Sequence, residues 1–282
     1  MTTIKTISVI GAGIMGSGIT QLAIQSGYAT TMIDQNQQLV DRGVASLNKN
    51  IERMLQKGKI SEADKENALA LLSTGTKISS SNKSDLVIEA VSENIELKKT
   101  IFAELDGICP EHTILATNTS SLSVTAIGAA TKRPDRVAGM HFFNPAPVMK
   151  LVEVVRSRVS SQETVTTLVK LAETMGKSAV IAVDQAGFIV ARILDVMLNE
   201  AVQCMRDGNN PEDIDAAMKL GCNHPMGPFE LIDLMGVDVL YHVMETLRSE
   251  FGDKYTPAPI LARMVEAGQL GRKTGVGFYK YD

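Results

Sequence analysis

A glycine-rich turn near the N-terminus constrains the fold of this chain more than any other feature of its sequence. The segment GAGIMG places Gly11, Gly13 and Gly16 directly after the apolar run 7–10 and directly before a helical pattern over 17–26. In such a unit the first glycine permits a tight turn, the second lets the backbone approach a pyrophosphate, and the third allows close helix packing. The sequence therefore predicts a strand that enters a helix through a phosphate-binding turn.

The same turn predicts which residues hold the anion. Free backbone N–H groups and the helix dipole favour a negative charge at a helix N-terminus. We therefore expect the pyrophosphate of a dinucleotide to contact Gly11, Gly13, Ile14, Met15 and Gly16. The alternative is a glycine turn that packing alone requires.

Asp34 indicates which dinucleotide binds. It ends the second predicted strand, 18 residues after Gly16, close to the spacing at which an acidic residue accepts hydrogen bonds from an adenosine ribose. A carboxylate there repels a 2′-phosphate, and residues 35–37 include no arginine to neutralise one. We therefore expect NAD rather than NADP. The alternative role for Asp34 is to cap the next helix.

The pattern of apolar residues divides the chain into two parts. Up to Asp184, short β-branched runs alternate with helical patterns, which is typical of a parallel sheet covered by helices. Only helical patterns follow, so we predict an α/β domain at residues 1–184 and a helical domain at residues 185–282. The predicted strands are 7–10, 29–34, 86–90, 113–117, 136–143, 150–155 and 178–183; two helical stretches fill the connection 36–84, and the later helices are 188–207, 211–220, 227–251 and 260–267.

Composition excludes several classes of protein. With 282 residues, 28 basic against 32 acidic side chains and a net charge of −4, the chain is not expected to bind nucleic acid. No run approaches the roughly 20 apolar residues of a membrane helix. The three cysteines lie far apart and form no CxxC pair, so neither a disulfide framework nor a metal clip is indicated. We expect a soluble protein of the reducing cytoplasm, without a signal peptide or a membrane partner.

A histidine and a glutamate form the candidate catalytic pair. Ligands of open α/β sheets bind beyond the carboxyl ends of the strands, and His141 ends an apolar run there. If the following turn is a hairpin centred on Pro147, counting outward pairs His141 with Glu153. The carboxylate would fix one imidazole nitrogen and leave the other as a general acid/base, the alternative being a structural pair that closes the hairpin. No histidine has the spacing of a zinc ligand, so no metal is expected.

Two further signals are weaker. Ser120 lies in a hydroxyl-rich segment after the fourth strand and could donate a hydrogen bond to a substrate oxygen, although a serine there more often caps a helix. Lys49, Arg53 and Lys57 recur at four-residue spacing on one helix face. That face either is simply solvated or binds an anionic arm of the substrate.

Five segments, distributed over the whole chain, resemble one family. They are GAGIMG, NTSSLS at 118–123, HFFNPAPVMKLVEVV at 141–155, MKLGCNHPMGPFELIDL at 218–234 and GRKTGVGFYKY at 271–281. In this order they closely resemble the L-3-hydroxyacyl-CoA dehydrogenases, above all the bacterial 3-hydroxybutyryl-CoA dehydrogenases. The resemblance implies a Rossmann-type, doubly wound and mostly parallel sheet, followed by an all-helical domain that binds substrate and forms a homodimer.

The resemblance also implies a reaction. His141 takes the proton from the 3-hydroxyl of an (S)-3-hydroxyacyl-CoA while hydride passes from C3 to NAD; in reverse, acetoacetyl-CoA is reduced by NADH. Glu153 supports the imidazolium, and Ser120 hydrogen-bonds the substrate oxygen. Cofactor positions are further implied at Glu93, Lys98, Asn118 and Asn144, and substrate positions at Asn144 and, for the CoA arm, at Lys49, Arg53 and Lys57.

One position departs from the family. The family motif reads PGFxxNR, whereas this chain reads AGFIVAR over 186–192, with Ala191 at the asparagine position. The resemblance implies that this asparagine donates a hydrogen bond near the substrate thioester, and loss of one such donor commonly lowers turnover roughly 100- to 1000-fold. We expect normal binding and a much reduced rate, whether the alanine is engineered or natural. Two other functions stay open: a non-catalytic NAD and acyl-CoA binding protein, and a dehydrogenase that acts on a sugar acid.

Overall fold

A single sheet runs through the first part of the chain. The computed structural model describes residues 3–281, and the contacts within it divide the chain between Asp184 and Gln185. In the first unit the described residues form eight strands: β1 (Thr6–Ile10), β2 (Ala29–Ile33), β3 (Leu72–Gly75), β4 (Leu86–Glu89), β5 (Ile114–Thr117), β6 (Val137–Phe142), β7 (Leu151–Arg156) and β8 (Ser178–Val183). They lie in the order β3-β2-β1-β4-β5-β6-β7-β8.

The sheet is mostly parallel and is covered by helices. Only β6 and β7 pair antiparallel. Strands β4, β5 and β6 are buried throughout and apolar except near their carboxyl ends, as expected when helices cover both faces of a sheet. The predicted doubly wound α/β fold is thereby confirmed. The helices of this unit are α1 (Ile14–Gln25), α2 (Gln37–Gln56), α3 (Glu62–Ala70), α4 (Ile95–Ile108), α5 (Val124–Gly128) and α6 (Gln162–Thr174).

Strand β1 lies at the point where the strand order reverses. Chain connections lead from β1 to β2 and β3 on one side, and then back across to β4 on its other side. At such a switch point the loops that follow adjacent strands diverge and leave a crevice, where ligands of this fold bind. The glycine turn follows β1 directly, so it lies at the mouth of this crevice.

Strand β3 is not predicted from the sequence. Within the connection 36–84, β3 pairs in parallel with β2, from Leu72 opposite Thr30 to Gly75 opposite Ile33. Its sequence, LSTG, is short and half-polar, because an edge strand buries little and is held mainly by backbone hydrogen bonds to its neighbour. Several predicted strands also extend one residue too far, since Asp34, Ala90 and Phe143 lie just beyond their strands.

The second unit is built from helices around its own apolar core. The single helix predicted over 227–251 is wrong, because Gly236 interrupts it with a φ of 112°. Residues other than glycine rarely adopt this backbone conformation, so the break requires Gly236, although apolar periodicity continues on both sides. The helices are α7 (Val190–Arg206), α8 (Pro211–Gly221), α9 (Pro228–Met235), α10 (Val237–Phe251) and α11 (Pro259–Glu266). Over residues 3–281, none of the helices combines the length and the hydrophobicity that a bilayer-spanning helix requires.

Candidate active site

The candidate site lies at the carboxyl edge of the sheet. Register places the ends of three adjacent strands side by side, with Ile10 opposite Glu89 and Glu89 opposite Thr117. The glycine turn, the turn 90–94 and the turn 118–123 therefore leave the sheet next to one another. The end of β6, with His141, follows on the far side of β5.

His141 and Glu153 face each other across β6 and β7. The predicted register is confirmed, with His141 directly opposite Glu153. The distance from His141 Nδ1 to Glu153 Oε2 is 2.8 Å, and the glutamate side chain is only 1% exposed. Because an ionised carboxylate can only accept, Nδ1 carries the proton in this bond, and Nε2 is the basic nitrogen of the neutral ring. The pair therefore has the geometry of a general acid/base and its orienting carboxylate.

Glu93 connects the turn after β4 to the turn after β5. Its Oε1 accepts hydrogen bonds from Thr119 Oγ1 at 2.8 Å, from the Ser120 amide at 2.6 Å and from Ser120 Oγ at 3.0 Å. Its Oε2 lies 3.2 Å from Lys98 Nζ. The structure thus brings together Glu93, Lys98 and Ser120, which the sequence analysis had named separately. The Ser120 hydroxyl is oriented by a carboxylate rather than by a helix that it caps, since Ser123 caps α5.

Glu89, at the end of β4, is a charged residue of the site that sequence reasoning missed. Its side chain is fully buried and its Oε1 lies 2.7 Å from Lys98 Nζ, itself 1% exposed. Glu89 also accepts hydrogen bonds from the Val91 amide and from Thr117 Oγ1, each at 2.7 Å. The available signal was a single acid closing the otherwise apolar run LVIE. A buried carboxylate of this kind requires a partner, which the sequence did not identify.

Two asparagines occupy neighbouring turns. Asn118 follows β5, and its Oδ1 accepts the Phe142 amide at 2.9 Å, which ties this turn to the end of β6. Asn144 is exposed in the segment after β6. Both therefore lie at the carboxyl edge of the sheet, as the sequence analysis expected. In the described range 3–281, no three residues of the types His, Cys, Asp or Glu cluster in a way that could hold a metal ion.

The glycine turn fits a dinucleotide phosphate. Packing accounts for two of its glycines, because a Cβ would lie 2.6 Å from Ala90 O at Gly11 and 1.8 Å from Gly11 O at Gly16. A Cβ on Gly13 would meet no atom within 4 Å, so packing alone does not require this glycine. Helix α1 also starts without a side-chain cap and without an acidic residue in its first turn. Its first N–H groups are therefore available to an anion.

Asp34 lies beside this turn, directly after β2. Its Oδ2 accepts the Ala12 amide at 2.7 Å and its Oδ1 accepts the Gln35 amide at 2.7 Å. Asp34 does not cap the next helix, because the cap of α2 is Asn36, whose Oδ1 accepts the Leu39 amide at 3.0 Å. The alternative role considered for Asp34 is therefore wrong. Its carboxylate is held at the glycine turn, where the adenosine ribose of a bound NAD would lie.

Three basic side chains lie on and just beyond α2. Lys49 and Arg53 are in the helix and Lys57 is its C-cap, and all three are exposed. In the part of the chain that the structure describes, none of the three forms an ion pair. No described carboxylate is therefore paired with them, and their charge can attract an anion.

Ala191 belongs to the second unit. It lies in the first turn of α7, half-buried, and packs against the core of that unit. The chain enters this helix through Gly187 and Phe188, whose φ angles are 73° and 45°. The Arg192 guanidinium stacks on the Phe251 ring at 4.0 Å. An alanine methyl offers no hydrogen-bond donor at this position.

Comparison with known proteins identifies the family. The profile described as 3-hydroxyacyl-CoA dehydrogenase, NAD binding domain, matches residues 6–185, and that of the C-terminal domain matches residues 187–281. The chain is 48% identical over 281 residues to the probable 3-hydroxybutyryl-CoA dehydrogenase of Bacillus subtilis (strain 168), covering 99% of this chain and 98% of that one. It is 49% identical over 278 residues to the 3-hydroxybutyryl-CoA dehydrogenase of Clostridioides difficile, covering 98% and 99%. The crystal structure of (S)-3-hydroxybutyryl-CoA dehydrogenase PaaH1 from Ralstonia eutropha matches with a TM-score of 0.96 at 45% identity, covering 99% and 100%. The chain thus belongs to the 3-hydroxyacyl-CoA dehydrogenase family and is an NAD-dependent oxidoreductase.

Proposed function

We propose that this chain interconverts (S)-3-hydroxybutyryl-CoA and acetoacetyl-CoA with NAD as the redox partner. The observation that carries the proposal is the buried His141–Glu153 pair, with Nδ1 and Oε2 2.8 Å apart, at the sheet edge that also carries the glycine turn. A protein that only binds nucleotide and acyl-CoA has no need of an oriented acid/base pair. The printed names of the bacterial relatives and of the Ralstonia enzyme support the C4 substrate.

His141 is proposed to move the proton. When bound, NAD would supply the hydride acceptor for C3 of the hydroxy substrate, and NADH would supply the hydride donor for the oxo substrate. As the alcohol is oxidised, Nε2 of the neutral imidazole takes the hydroxyl proton, and in the reverse direction the imidazolium gives it back. Glu153 holds the Nδ1 proton throughout and stabilises the imidazolium by its negative charge. Because Glu153 is buried against His141, this charge acts with little screening by water.

The neighbouring turns are proposed to orient substrate and cofactor. Ser120 hydrogen-bonds the reacting oxygen: Glu93 Oε1 holds its Oγ in place, and the single hydroxyl proton turns from Glu93 to that oxygen when substrate binds. Asn118 and Asn144 lie next to the nicotinamide end, and Asn144 also contacts substrate. Lys98 contributes to the nicotinamide end indirectly by pairing with Glu93, since its ammonium is buried and contacts protein oxygens. At the other end of the cofactor, the proposed contacts are Asp34 for the ribose and Gly11, Gly13, Ile14, Met15 and Gly16 for the pyrophosphate.

The basic side chains of α2 are proposed to attract the CoA phosphates. Lys49, Arg53 and Lys57 are exposed, so an incoming phosphate does not have to displace a carboxylate from them. Long basic side chains on a helix surface suit several phosphates at variable positions, because their charged ends move freely.

For the second unit, we propose the homodimer that the family resemblance implies. Sedimentation of the full chain tests it, and a purely monomeric species would contradict it.

Ala191 is proposed to slow the reaction without preventing binding. It occupies the position at which the family has a hydrogen-bonding asparagine, and a methyl group supplies no donor. Losing one preorganised donor typically raises the barrier by about 3 to 4 kcal/mol. The same substitution is the one observation that favours a second function, in which the chain binds NAD and acyl-CoA without turning them over.

Substrate turnover tests the proposal directly. NADH oxidation is followed with acetoacetyl-CoA and, separately, with oxidised free sugar acids, while NADH binding is measured from the fluorescence of NADH itself. The proposal predicts slow oxidation with acetoacetyl-CoA and none with the sugar acids. Binding of both ligands without any turnover would favour the non-catalytic function, and turnover of a sugar acid alone would overturn the substrate assignment.

A further inference from the structure

Glu89 and four neighbouring residues form a cluster of charges and hydrogen bonds that is buried at its centre, and the proposed function assigns no role to Glu89 itself. The Glu89 cluster consists of Glu89, Val91, Glu93, Lys98 and Thr117. At its centre Glu89 is 0% exposed and Lys98 is 1% exposed. Charges removed from water to this extent are costly unless geometry and hydrogen bonds compensate fully, so such a cluster requires an explanation.

The Lys98 ammonium donates two hydrogen bonds within the cluster, to Glu89 and to Val91, and forms an ion pair with Glu93. Lys98 Nζ lies 2.7 Å from Glu89 Oε1, 3.2 Å from Glu93 Oε2 and 3.4 Å from Val91 O. Lys98 therefore links the end of β4 to the turn 90–94 that follows it. Within this set, only the Glu93 side chain is substantially exposed, at 39%. The cluster thus begins at the buried Glu89 and ends at the exposed carboxylate of Glu93, which accepts the hydrogen bonds of Ser120.

A second route connects Glu89 to the same serine turn. Thr117 Oγ1 donates to Glu89 Oε2 at 2.7 Å and accepts the Thr119 amide at 3.3 Å. Thr117 therefore links the turn after β5 to Glu89 through these two hydrogen bonds. Lys98 and Glu93 also connect Glu89 to the Ser120 amide and hydroxyl, both of which donate to Glu93. Both routes start from one buried carboxylate.

We propose that Glu89 is a positioning residue that sets the place of Ser120 in the turn after β5. This inference rests on the proposed function, because it assigns Glu89 a part in presenting Ser120 to the reacting oxygen. Glu89 itself touches neither substrate nor cofactor; it acts through Lys98 and Glu93 and through Thr117. Loss of its charge removes the partner that holds Lys98 at the end of β4, so Lys98, Glu93 and Ser120 shift together.

The test uses variants that preserve shape. In Glu89→Gln the amide oxygen can still accept from Val91 and Lys98, while the Thr117 hydroxyl can turn to accept from the amide nitrogen, so mainly the charge is lost. Thr117→Val removes one hydrogen bond to Glu89. Its matched control is Thr113→Val, because Thr113 is equally buried and donates to Ser84 O at the same distance of 2.7 Å, at the opposite end of β5.

Each variant of the full chain is assayed for acetoacetyl-CoA reduction with Ser120 present and in a Ser120→Ala background. We expect Glu89→Gln to lower kcat about tenfold with Ser120 and less than about twofold without it, since coupled residues lose their effect when the partner is absent. Thr117→Val should show a smaller loss, about threefold, with the same dependence on Ser120, and Thr113→Val should show none. KM for acetoacetyl-CoA should change less than about threefold in all of them.

Amide hydrogen exchange gives a readout that does not depend on turnover. Glu89→Gln and Thr117→Val should speed exchange in segments 91–94 and 119–121, and Thr113→Val should not. Equal kcat losses in both Ser120 backgrounds, no loss at all, or unchanged exchange would overturn the inference. If Glu89→Gln does not fold, the two threonine variants decide alone. If neither the parent chain nor its Ala191→Asn variant reduces acetoacetyl-CoA, the proposed function fails, while hydrogen exchange still decides whether Glu89 fixes the turn.

Discussion

Replacing Glu153 by glutamine should slow hydride transfer strongly and leave ligand binding almost unchanged. The amide oxygen of Glu153→Gln can still accept from His141 Nδ1, so the ring keeps its tautomer, and only the charge beside the imidazolium is lost. With Nδ1 and Oε2 at 2.8 Å, the two charge centres lie about 4 Å apart, which at an effective dielectric constant of about 20 corresponds to about 4 kcal/mol. That energy converts to a loss in kcat of about 1000-fold.

The assay is NADH oxidation by acetoacetyl-CoA, measured in the Ala191→Asn background so that a large loss can be resolved. KM should change less than about threefold, because the buried Glu153 contacts His141 and not the ligands. The control is Glu173→Gln on the exposed surface of α6, which should alter kcat less than about twofold. A loss below about tenfold in a folded Glu153→Gln protein would refute the reasoning, since the pair would then only close the hairpin.

Three further predictions follow from the structure. Asp34→Arg exchanges the carboxylate at the glycine turn for a guanidinium. KM for NADH should therefore rise at least about tenfold, and the cofactor preference should shift towards NADPH. An unchanged NADPH-to-NADH ratio of kcat/KM would contradict the ribose contact. Replacing Lys49, Arg53 and Lys57 together by alanine should raise KM for acetoacetyl-CoA about 10- to 30-fold at low salt and less at high salt. KM for NADH should not change. An equal rise in the two KM values would exclude a CoA site on this helix face. Burial raises the pKa of Asp195 from 3.8 to about 7, so the folded state favours the protonated acid and stability falls as the pH rises between these values. Asp195→Asn should therefore raise Tm by at least about 5 °C at alkaline pH and hardly at all near pH 4, and equal shifts at both pH values would contradict this.

Local sequence rules accounted for the parts of the fold that local geometry determines. The strand–turn–helix at GAGIMG needs a positive φ at Gly11 and room for close packing at Gly16, and both needs are visible in the sequence. The pairing of His141 with Glu153 could be counted from the turn, because side chains of an antiparallel pair meet with a fixed period of two. These elements depend on neighbours within about a dozen residues.

Two features of the fold were not predictable in the same way. β3 is a strand because β2 presents its free edge to it, and its own residues give no strand pattern. The break at Gly236 is a local positive φ, which the apolar periodicity does not reveal because it runs straight through this position. The apolar pattern of the segment itself thus indicates neither feature.

In the candidate site, too, single residues could be predicted from the sequence, whereas the contacts between them could not. Sequence reasoning named Glu93, Lys98 and Ser120 one by one, yet the hydrogen bonds that join them require the register of β4 and β5. Glu89 was overlooked because an acid at a strand end is ordinarily solvated, and only its burial against Lys98 reveals its place. The roles assigned to these residues in binding and turnover stay predictions, which the variants above address.

The rate of NADH oxidation by acetoacetyl-CoA, for this chain and for its Ala191→Asn variant, tests the central claim most directly. Dissociation constants of NADH and acetoacetyl-CoA are measured on both proteins. The account predicts a gain in kcat on the order of 100-fold for the variant, with dissociation constants within about threefold. If both proteins bind NADH and neither oxidises it with acetoacetyl-CoA, the chain is not a dehydrogenase of this substrate, and the proposed reaction is contradicted.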